Sequence, residues 1–212
     1  MKTIIIADDH QIFRESLSEL LSNHGFKVIG LAANGIELLE LLKNEQPDIV
    51  ITDIDMPKME GCEASEKAIK LYPTLNILTL SSFGEERYYY RMVQAGVKGF
   101  VLKNSGMHDL LAAINEILDG GSWFSNELLQ NAIKSFNKQS TQTTRISLTE
   151  RESEVLKYIC NGLTAKDIAM EMSVSHETVR THRANLLSKT GCRNTPALII
   201  YAIKNNLITI DN

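Results

Sequence analysis

Residues 49–55 read Ile-Val-Ile-Thr-Asp-Ile-Asp, a short β-branched run that ends in acidic residues. A run without alternation of polar and apolar side chains is typical of a strand buried on both faces of a parallel sheet. Similar apolar runs occupy residues 4–7, 28–32, 77–80 and 100–102, and amphipathic helical segments separate them. We therefore predict a doubly wound α/β domain with five parallel strands over residues 1–121. The first predicted helix carries Ile12, Leu17, Leu20 and Leu21 at helical spacing.

The composition is that of a chain that forms a core and has no membrane span. Of the 212 residues, 43% are hydrophobic and 23% are charged, as in ordinary globular proteins. No apolar run approaches the roughly 18 residues of a membrane-spanning helix, and acidic residues at positions 8 and 9 come too early for a signal peptide. Three widely spaced cysteines favour neither a disulfide framework nor a CxxC metal site. We expect a reduced, cytoplasmic protein without a membrane partner.

The second half of the chain has a different pattern. Residues 126–136 are predicted to be helical, and residues 137–144 are polar without an aliphatic side chain, so residues 122–146 are predicted to be a linker. Residues 147–212 show no strand pattern. They carry two capping-box patterns, beginning at Thr149 and Thr164, and a good helix N-cap at Ser175. A small all-helical domain is predicted here, and Pro196 is expected in the first turn of its last helix.

Charge divides along the same boundary. The whole chain has a formal charge of -4, which argues against a protein that coats nucleic acid by bulk charge. Residues 147–212 carry eight Lys/Arg and seven Asp/Glu, whereas residues 1–146 carry fourteen and nineteen. The segment from Arg180 to Arg193 holds four basic residues, one histidine and no acid. The average charge therefore hides a basic helix face in the second domain.

Polar side chains follow the predicted strands of the first domain. Because the carboxyl ends of parallel strands meet at one edge of the sheet, residues far apart in sequence are expected to be neighbours there. Each residue alone has an ordinary explanation as a helix cap or a loop residue, but the joint occurrence at four strand ends indicates a site. A cluster of carboxylates suits Mg²⁺, and a lysine and a hydroxyl can bind a phosphate. The residues are Asp8, Asp9, Asp53, Ser81 and Lys103.

These residues resemble the receiver domain of two-component response regulators, together with the sequence Asp53-Ile54-Asp55-Met56-Pro57 and Gly61. The resemblance implies a sheet of order 2-1-3-4-5 and a phosphoryl group accepted by Asp53. It also implies that Asp9, Asp53 and the backbone carbonyl of Asp55 hold Mg²⁺, with Asp8 acting through water. Ser81 is implied as the switch hydroxyl, Phe100 as the switch aromatic and Lys103 as the lysine that pairs with the phosphate.

The second domain contains two short predicted helices joined at Met172-Ser173-Val174, which is the geometry of a helix-turn-helix. The second helix can enter the major groove of DNA, while Val179, Leu186 and Leu187 face inward. The sequence resembles the LuxR-type helix-turn-helix, and the two halves together resemble the NarL/FixJ family of response regulators. The resemblance implies base contacts by Arg180, Thr181 and Ala184, and backbone contacts by Lys166, Thr178, His182, Arg183 and Lys189.

The resemblance implies a transcription factor that is switched by phosphorylation. A sensor histidine kinase would phosphorylate Asp53, and the protein would bind promoter DNA as a homodimer. It would assist its own phosphorylation and dephosphorylation, but it would not be an enzyme. Surface residues of the first helix would contribute to kinase choice, and the candidates are His10, Gln11, Phe13, Arg14 and Leu17. The apolar last helix (Leu198, Ile199, Ile200 and Ile203) would pair two copies or pack in the core.

Two other functions fit part of the sequence. The apolar strand followed by Asp53-Ile54-Asp55 is also found in phosphatases of the haloacid-dehalogenase type, although the Asp8-Asp9 pair and the helix-turn-helix argue against that class. The other possibility is a regulator that binds DNA without phosphorylation.

Three consecutive tyrosines, Tyr88 to Tyr90, lie on a predicted helix and span about 200° of its circumference, so they are not all expected to be buried.

Overall fold

The computed structural model describes residues 1–82, 86–124, 146–205 and 207–208. The chain divides into two compact units, Met1–Ser125 and Asn126–Asn212. The first unit extends four residues beyond the predicted boundary at residue 121. The predicted helix at 126–136 and the polar stretch at 137–144 lie outside the described residues.

The first unit is a parallel sheet of five strands in the order β2-β1-β3-β4-β5, as predicted. All residues of β3 are buried, because helices cover both faces of the sheet. The strands are β1 (Thr3–Ala7), β2 (Lys27–Ala32), β3 (Ile49–Asp53), β4 (Ile77–Ser81) and β5 (Gly99–Leu102). The helices are α1 (Gln11–Asn23), α2 (Gly35–Asn44), α3 (Gly61–Leu71), α4 (Glu86–Ala95) and α5 (Gly106–Leu118).

Only part of the apolar stripe on α1 reaches the core. Leu17 and Leu21 are buried against the sheet, but Leu20 is exposed and Ile12 retains 82% of its accessible surface. The helical spacing therefore identified the helix correctly but not the full set of its buried side chains. Leu17 and Leu21 are four residues apart and so share one face, whereas Leu20 lies at the edge of that face and Ile12 lies on nearly the opposite side of the helix. The burial of Leu17 contradicts the expectation that it lies on the surface that contacts the kinase.

The chain returns to the sheet after α5. Gly120 adopts a left-handed conformation with φ of 83°, and the N–H of Gly121 donates to the Glu116 carbonyl at 2.8 Å. The next residues pair with the edge of β5 in a parallel bridge between Gly99 and Trp123. Gly99 is required for this approach, because a Cβ there would lie 3.2 Å from the Trp123 carbonyl oxygen and 2.7 Å from two core methyl groups.

The second unit contains four described helices around an apolar core that includes Val155, Ile168, Val179 and Leu186. Both predicted capping boxes are present, and the Ser175 side chain accepts the Thr178 N–H. These caps satisfy N–H groups that have no partner within the helix. The helices are α6 (Glu150–Cys160), α7 (Ala165–Glu171), α8 (His176–Thr190) and α9 (Thr195–Lys204).

The last helix begins with Thr195, and Asn194 is its cap, because the Asn194 side chain accepts the Ala197 N–H at 2.9 Å. Pro196 lies in the first turn, as expected. Leu198 and Ile199 are buried in the domain core, and Ile203 packs against that core. Core packing therefore accounts for much of the apolar character of α9.

All three cysteines are free thiols. Among the helices of the described ranges, none combines the length and apolar character that a membrane crossing requires.

Candidate functional site

The strand register brings the predicted pocket residues to one edge of the sheet. Asp53 ends β3 and pairs with Leu80, so Ser81 lies one position beyond it on β4. Ser81 pairs with Leu102, and Lys103 is the next residue after β5. On the other side of β3, Ala7 pairs with Thr52, which places Asp8 beside Asp53. Residues separated by up to 95 positions thus meet at the carboxyl ends of four strands.

Lys103 bridges two buried carboxylates of this pocket. Its Nζ lies 2.6 Å from Asp8 Oδ2 and 2.7 Å from Asp53 Oδ2. The side chains of Asp8, Asp53 and Lys103 are only 2%, 8% and 14% exposed. Ionic hydrogen bonds in such a shielded place are strong, and they compensate for removing the charges from water.

The pocket changes the acidity of these groups. Burial raises the pKa of Asp53, against the opposing hydrogen bond and charge of Lys103, and the charge of Asp8 adds to the rise. Burial alone would lower the pKa of Lys103, but hydrogen bonds to Asp53 and Asp8 outweigh it, so the pKa of the ammonium is raised. Lys103 therefore stays charged and opposes the rise in the pKa of Asp53.

Backbone groups fix the two carboxylates. Asp53 Oδ1 accepts the Ile54 N–H at 2.7 Å, and Asp8 Oδ1 accepts the His10 N–H at 2.9 Å. The start of α3 lies against Asp53, and a Cβ on Gly61 would overlap the Asp53 carbonyl oxygen. Gly61 is therefore the residue that lets α3 approach the pocket so closely.

A further carboxylate and an imidazole complete a potential metal site. Ligand atoms of Asp8, Asp9, His10 and Asp53 lie within 4.8 Å of one another. Three carboxylates provide the hard oxygen ligands that Mg²⁺ prefers, so this donor set fits the ion. The side chain of Asp55 is exposed and is not part of the group.

Sequence reasoning did not assign His10 and Phe13 to the pocket. His10 Nδ1 lies 2.9 Å from Asp9 Oδ1, and its position next to the Asp pair in sequence was the available signal. The Phe13 ring lies 4.7 Å from Lys103 Nζ, within the range of a cation–π interaction. No sequence signal reveals this contact, because it depends on how α1 packs beside the end of β5.

The two predicted switch residues are both buried. Ser81 is the last residue of β4, and its carbonyl accepts the Lys103 N–H at 2.8 Å. Phe100 on β5 makes an edge-to-face contact with Tyr89 of α4, with ring centroids 5.5 Å apart. Tyr89 is buried and Tyr88 is half-buried, whereas the side chain of Tyr90 lies outside the described set.

The helix-turn-helix is formed by α7 and α8. Ser173 in the turn has a φ of 53°, and Val179 and Leu186 anchor α8 in the core. The predicted DNA-contacting residues of α8 lie on its exposed or half-buried positions, and Lys166 of α7 is also exposed. The α8 residues are Thr178, Arg180, Thr181, His182, Arg183, Ala184 and Lys189.

Three of these cations have partners within the domain. Arg180 Nη1 lies 3.0 Å from Glu177 Oε2, and Arg183 Nη2 donates to Thr195 Oγ1 at 2.8 Å. Lys189 Nζ donates to Glu152 Oε2 at 2.7 Å, which joins the end of α8 to the start of α6. The hydrogen bond from Lys189 lowers the pKa of Glu152, and the Thr149 N–H adds to this effect.

Comparison with known proteins identifies the family of each half of the chain. The response regulator receiver domain model matches residues 4–115, and the model of bacterial regulatory proteins of the luxR family matches residues 146–202. The chain is 34% identical to oxygen regulatory protein NreC of Staphylococcus epidermidis, over 97% of this chain and 98% of the relative.

Solved structures share the fold. A LuxR-family two-component response regulator from Aurantimonas sp. SI85-9A1 is 28% identical with a TM-score of 0.60, over 65% of this chain and 99% of that one. RcsB from Salmonella enterica serovar Typhimurium, bound to promoter rprA with the phosphomimetic BeF3⁻, is 24% identical with a TM-score of 0.56. That match covers 95% of this chain and 98% of RcsB. The chain belongs to the NarL/FixJ family of response regulators, which regulate transcription through a receiver domain joined to a LuxR-type helix-turn-helix.

Proposed function

We propose that a sensor histidine kinase phosphorylates Asp53 and that the phosphorylated protein binds promoter DNA as a homodimer. The observation that supports this most directly is the position of Lys103 Nζ, within hydrogen-bond distance of both Asp8 and Asp53 at the carboxyl edge of the sheet. The domains we assign are a receiver at 1–121, a linker at 122–146 and a DNA-binding domain at 147–212.

The chemistry follows from the hydrogen bonds of Asp53. An Asp53 oxygen attacks the phosphorus of the kinase phosphohistidine, the P–N bond breaks, and its electron pair leaves with the imidazole, which takes up a proton. The carboxylate must be ionised to attack. Burial raises the pKa of Asp53, and the hydrogen bond and charge of Lys103 oppose this rise, which favours the ionised nucleophile. After transfer, Lys103 can donate to an oxygen of the phosphoryl group.

The acidic pocket also fits a magnesium ion. Asp9, Asp53 and the backbone carbonyl of Asp55 would hold Mg²⁺, with Asp8 acting through water. Bound there, the ion would neutralise negative charge on the phosphoryl oxygens.

The proposed switch uses Ser81 and Phe100. The Ser81 hydroxyl would hydrogen-bond a phosphoryl oxygen, and the rearrangement at β4 and β5 would bias the receiver between two states. The receiver would assist only the phosphorylation and dephosphorylation of its own Asp53, since the family regulates transcription rather than turning over a substrate.

The proposed DNA contacts are divided between bases and backbone. Arg180, Thr181 and Ala184 would face base edges in the major groove. The residues proposed for the phosphate backbone are Lys166, Thr178, His182, Arg183 and Lys189. Dimerisation would place two α8 helices at adjacent half-sites. RcsB, which shares the fold, is bound to promoter rprA in the presence of BeF3⁻, and this supports promoter binding by the present chain.

The proposal is tested by measuring binding to a promoter fragment that the protein selects from genomic DNA, with and without BeF3⁻ and Mg²⁺. We expect BeF3⁻ to tighten binding of the wild type and to leave Asp53→Asn unchanged. Asp55→Asn, which changes an exposed neighbouring carboxylate, is the matched control and should still respond. Equal binding in both conditions would instead support a regulator that acts without phosphorylation.

A further inference from the structure

The backbone of the proposed switch aromatic is hydrogen-bonded to the chain that leaves the first unit. The Phe100 N–H donates to the Trp123 carbonyl at 2.8 Å, and the Trp123 N–H donates to the Lys98 carbonyl at 2.9 Å. Residues 121–124 thus lie along the outer edge of β5, next to Phe100. A movement of Phe100 therefore acts directly on the first residues of the proposed linker.

Side-chain contacts also connect Phe100 to this segment. The Tyr89 ring meets Phe100 edge to face, with centroids 5.5 Å apart and an interplanar angle of 73°. On its other side it meets Phe124 in the same way, at 5.7 Å and 88°. Edge-to-face pairs at this separation are attractive and depend on orientation. Tyr89 consequently joins the switch aromatic to the start of the linker.

The environment of Tyr89 indicates that ring packing determines its position. The side chain is 1% exposed, and its hydroxyl is buried without a hydrogen-bond partner among the described residues. A buried hydroxyl without a partner is unfavourable. The Tyr89 ring is nevertheless held in place against Phe100 and Phe124, and its contact with Phe100 is one that a shift of Phe100 would alter.

We propose that Tyr89 is a positioning residue that couples Phe100 to the linker through Phe124. The trigger rests on the proposed phosphorylation of Asp53, whereas the coupling itself is a property of β5, α4 and residues 121–124. When the pocket rearranges, Phe100 changes its contact with Tyr89, and the Trp123–Phe124 segment changes its position on β5.

The chain carries its own reporter for this coupling, because Trp123 is its single tryptophan. The experiment uses the full chain with Mg²⁺, adds BeF3⁻, and follows bound fluoride by ¹⁹F NMR and Trp123 emission by fluorescence. In the wild type we expect bound BeF3⁻ and a changed Trp123 emission. In Tyr89→Leu, which keeps an apolar side chain but removes the ring, we expect bound BeF3⁻ and an unchanged emission.

Two further variants make the test specific. Tyr89→Phe keeps the ring and removes the unpaired hydroxyl, so it should retain the emission change and melt at a higher temperature than the wild type. Phe124→Leu removes the other ring contact of Tyr89 and should lose the emission change. If Tyr89→Leu unfolds, Phe124→Leu tests the coupling in its place. Tyr72→Leu, a half-buried tyrosine at the end of α3, is the control and should respond as the wild type does.

The possible failures can be distinguished. If the wild type binds BeF3⁻ without any change in Trp123 emission, or if both leucine variants respond fully, the coupling is wrong and the proposed function stands. Loss of the response in Tyr89→Phe despite bound BeF3⁻ would also overturn the coupling, because the ring contacts are intact there. If the wild type binds no BeF3⁻, both the proposed phosphorylation of Asp53 and the proposed coupling are wrong.

Discussion

Lys103 Nζ and Asp53 Oδ2 lie 2.7 Å apart although 50 residues of sequence separate them. The same ammonium lies 2.6 Å from Asp8, so one cation holds two buried carboxylates in the resting protein. The hydrogen bond that now goes to Asp53 is the one that a phosphoryl group on that residue would receive. Lys103 therefore already lies where it could pair with a phosphoryl group on Asp53.

Phe13 is expected to assist this lysine. Its ring face lies 4.7 Å from Lys103 Nζ, and a cation–π contact of this kind contributes about 1 kcal/mol. Phe13→Leu should therefore slow the labelling of Asp53 by acetyl phosphate by roughly fivefold, and Phe13→Tyr should restore it. An unchanged rate in Phe13→Leu would show that the ring does not affect Lys103.

Gly61 is expected to be essential for the shape of the pocket. A Cβ at this position would overlap the Asp53 carbonyl oxygen, so Gly61→Ala must displace α3 or the phosphorylated residue. We expect a loss of about 2 kcal/mol in the free energy of unfolding and slower labelling of Asp53. Gly25→Ala is the control. Gly25 has a φ of 85° but no atom within 4 Å of a Cβ, so it should lower stability by only about 1 kcal/mol and leave labelling intact.

Glu152 makes the stability of the second domain depend on pH. Its pKa is held below the ordinary value of 4.5, chiefly by Lys189, so its contribution is full above that value and is lost as the pH falls through the lower folded-state pKa. At neutral pH, Glu152→Gln should lower the free energy of unfolding by about 1 kcal/mol, and this difference should disappear in acid. Urea unfolding followed by circular dichroism measures both values.

The control for this prediction is Glu154→Gln on the same helix. Glu154 pairs with Arg151 at 2.8 Å, and both side chains are exposed, so its loss should change stability very little. A difference between wild type and Glu152→Gln that persists at about pH 3 would show that the ion pair with Lys189 is not its source.

Arg180 is expected to determine sequence preference on DNA. Arg180→Ala should weaken binding to the specific site by about 1–3 kcal/mol and binding to unrelated DNA much less. Lys166→Ala should weaken both equally and reduce the salt dependence, as loss of a phosphate contact does. Fluorescence anisotropy with specific and scrambled duplexes at two salt concentrations separates these effects. If Arg180→Ala lost the same binding free energy on both duplexes, the proposed contact of Arg180 with the bases would be wrong.

Local sequence patterns were enough for much of this structure. The β-branched runs located all five strands, and the pairs Thr149/Glu152 and Thr164/Asp167 gave the starts of α6 and α7. These features depend on residues within a few positions of one another. The pocket residues Asp8, Asp53, Ser81 and Lys103 could be grouped because parallel strands end at one edge of a sheet.

Contacts between elements could not be predicted in the same way. The distance from Phe13 to Lys103 depends on the packing of α1, and the burial of Tyr89 depends on Phe100 and Phe124 from two other segments. The exposure of Ile12 was missed although it could have been predicted, because five residues separate it from Leu17 and place it on nearly the opposite side of α1. The pairing of Trp123 with β5 follows from the turn at Gly120 and Gly121, which resembled a simple domain end.

The central claim is that Asp53 accepts the phosphoryl group, and intact-protein mass spectrometry with peptide mapping tests it most directly. After incubation with acetyl phosphate and Mg²⁺, we expect the wild type to gain one phosphoryl group on the peptide that contains Asp53, and Asp53→Asn to gain none. Labelling of Asp53→Asn to the same extent would contradict the assignment. Continuous turnover of a generic phosphomonoester, lost in Asp53→Asn, would indicate a phosphatase instead.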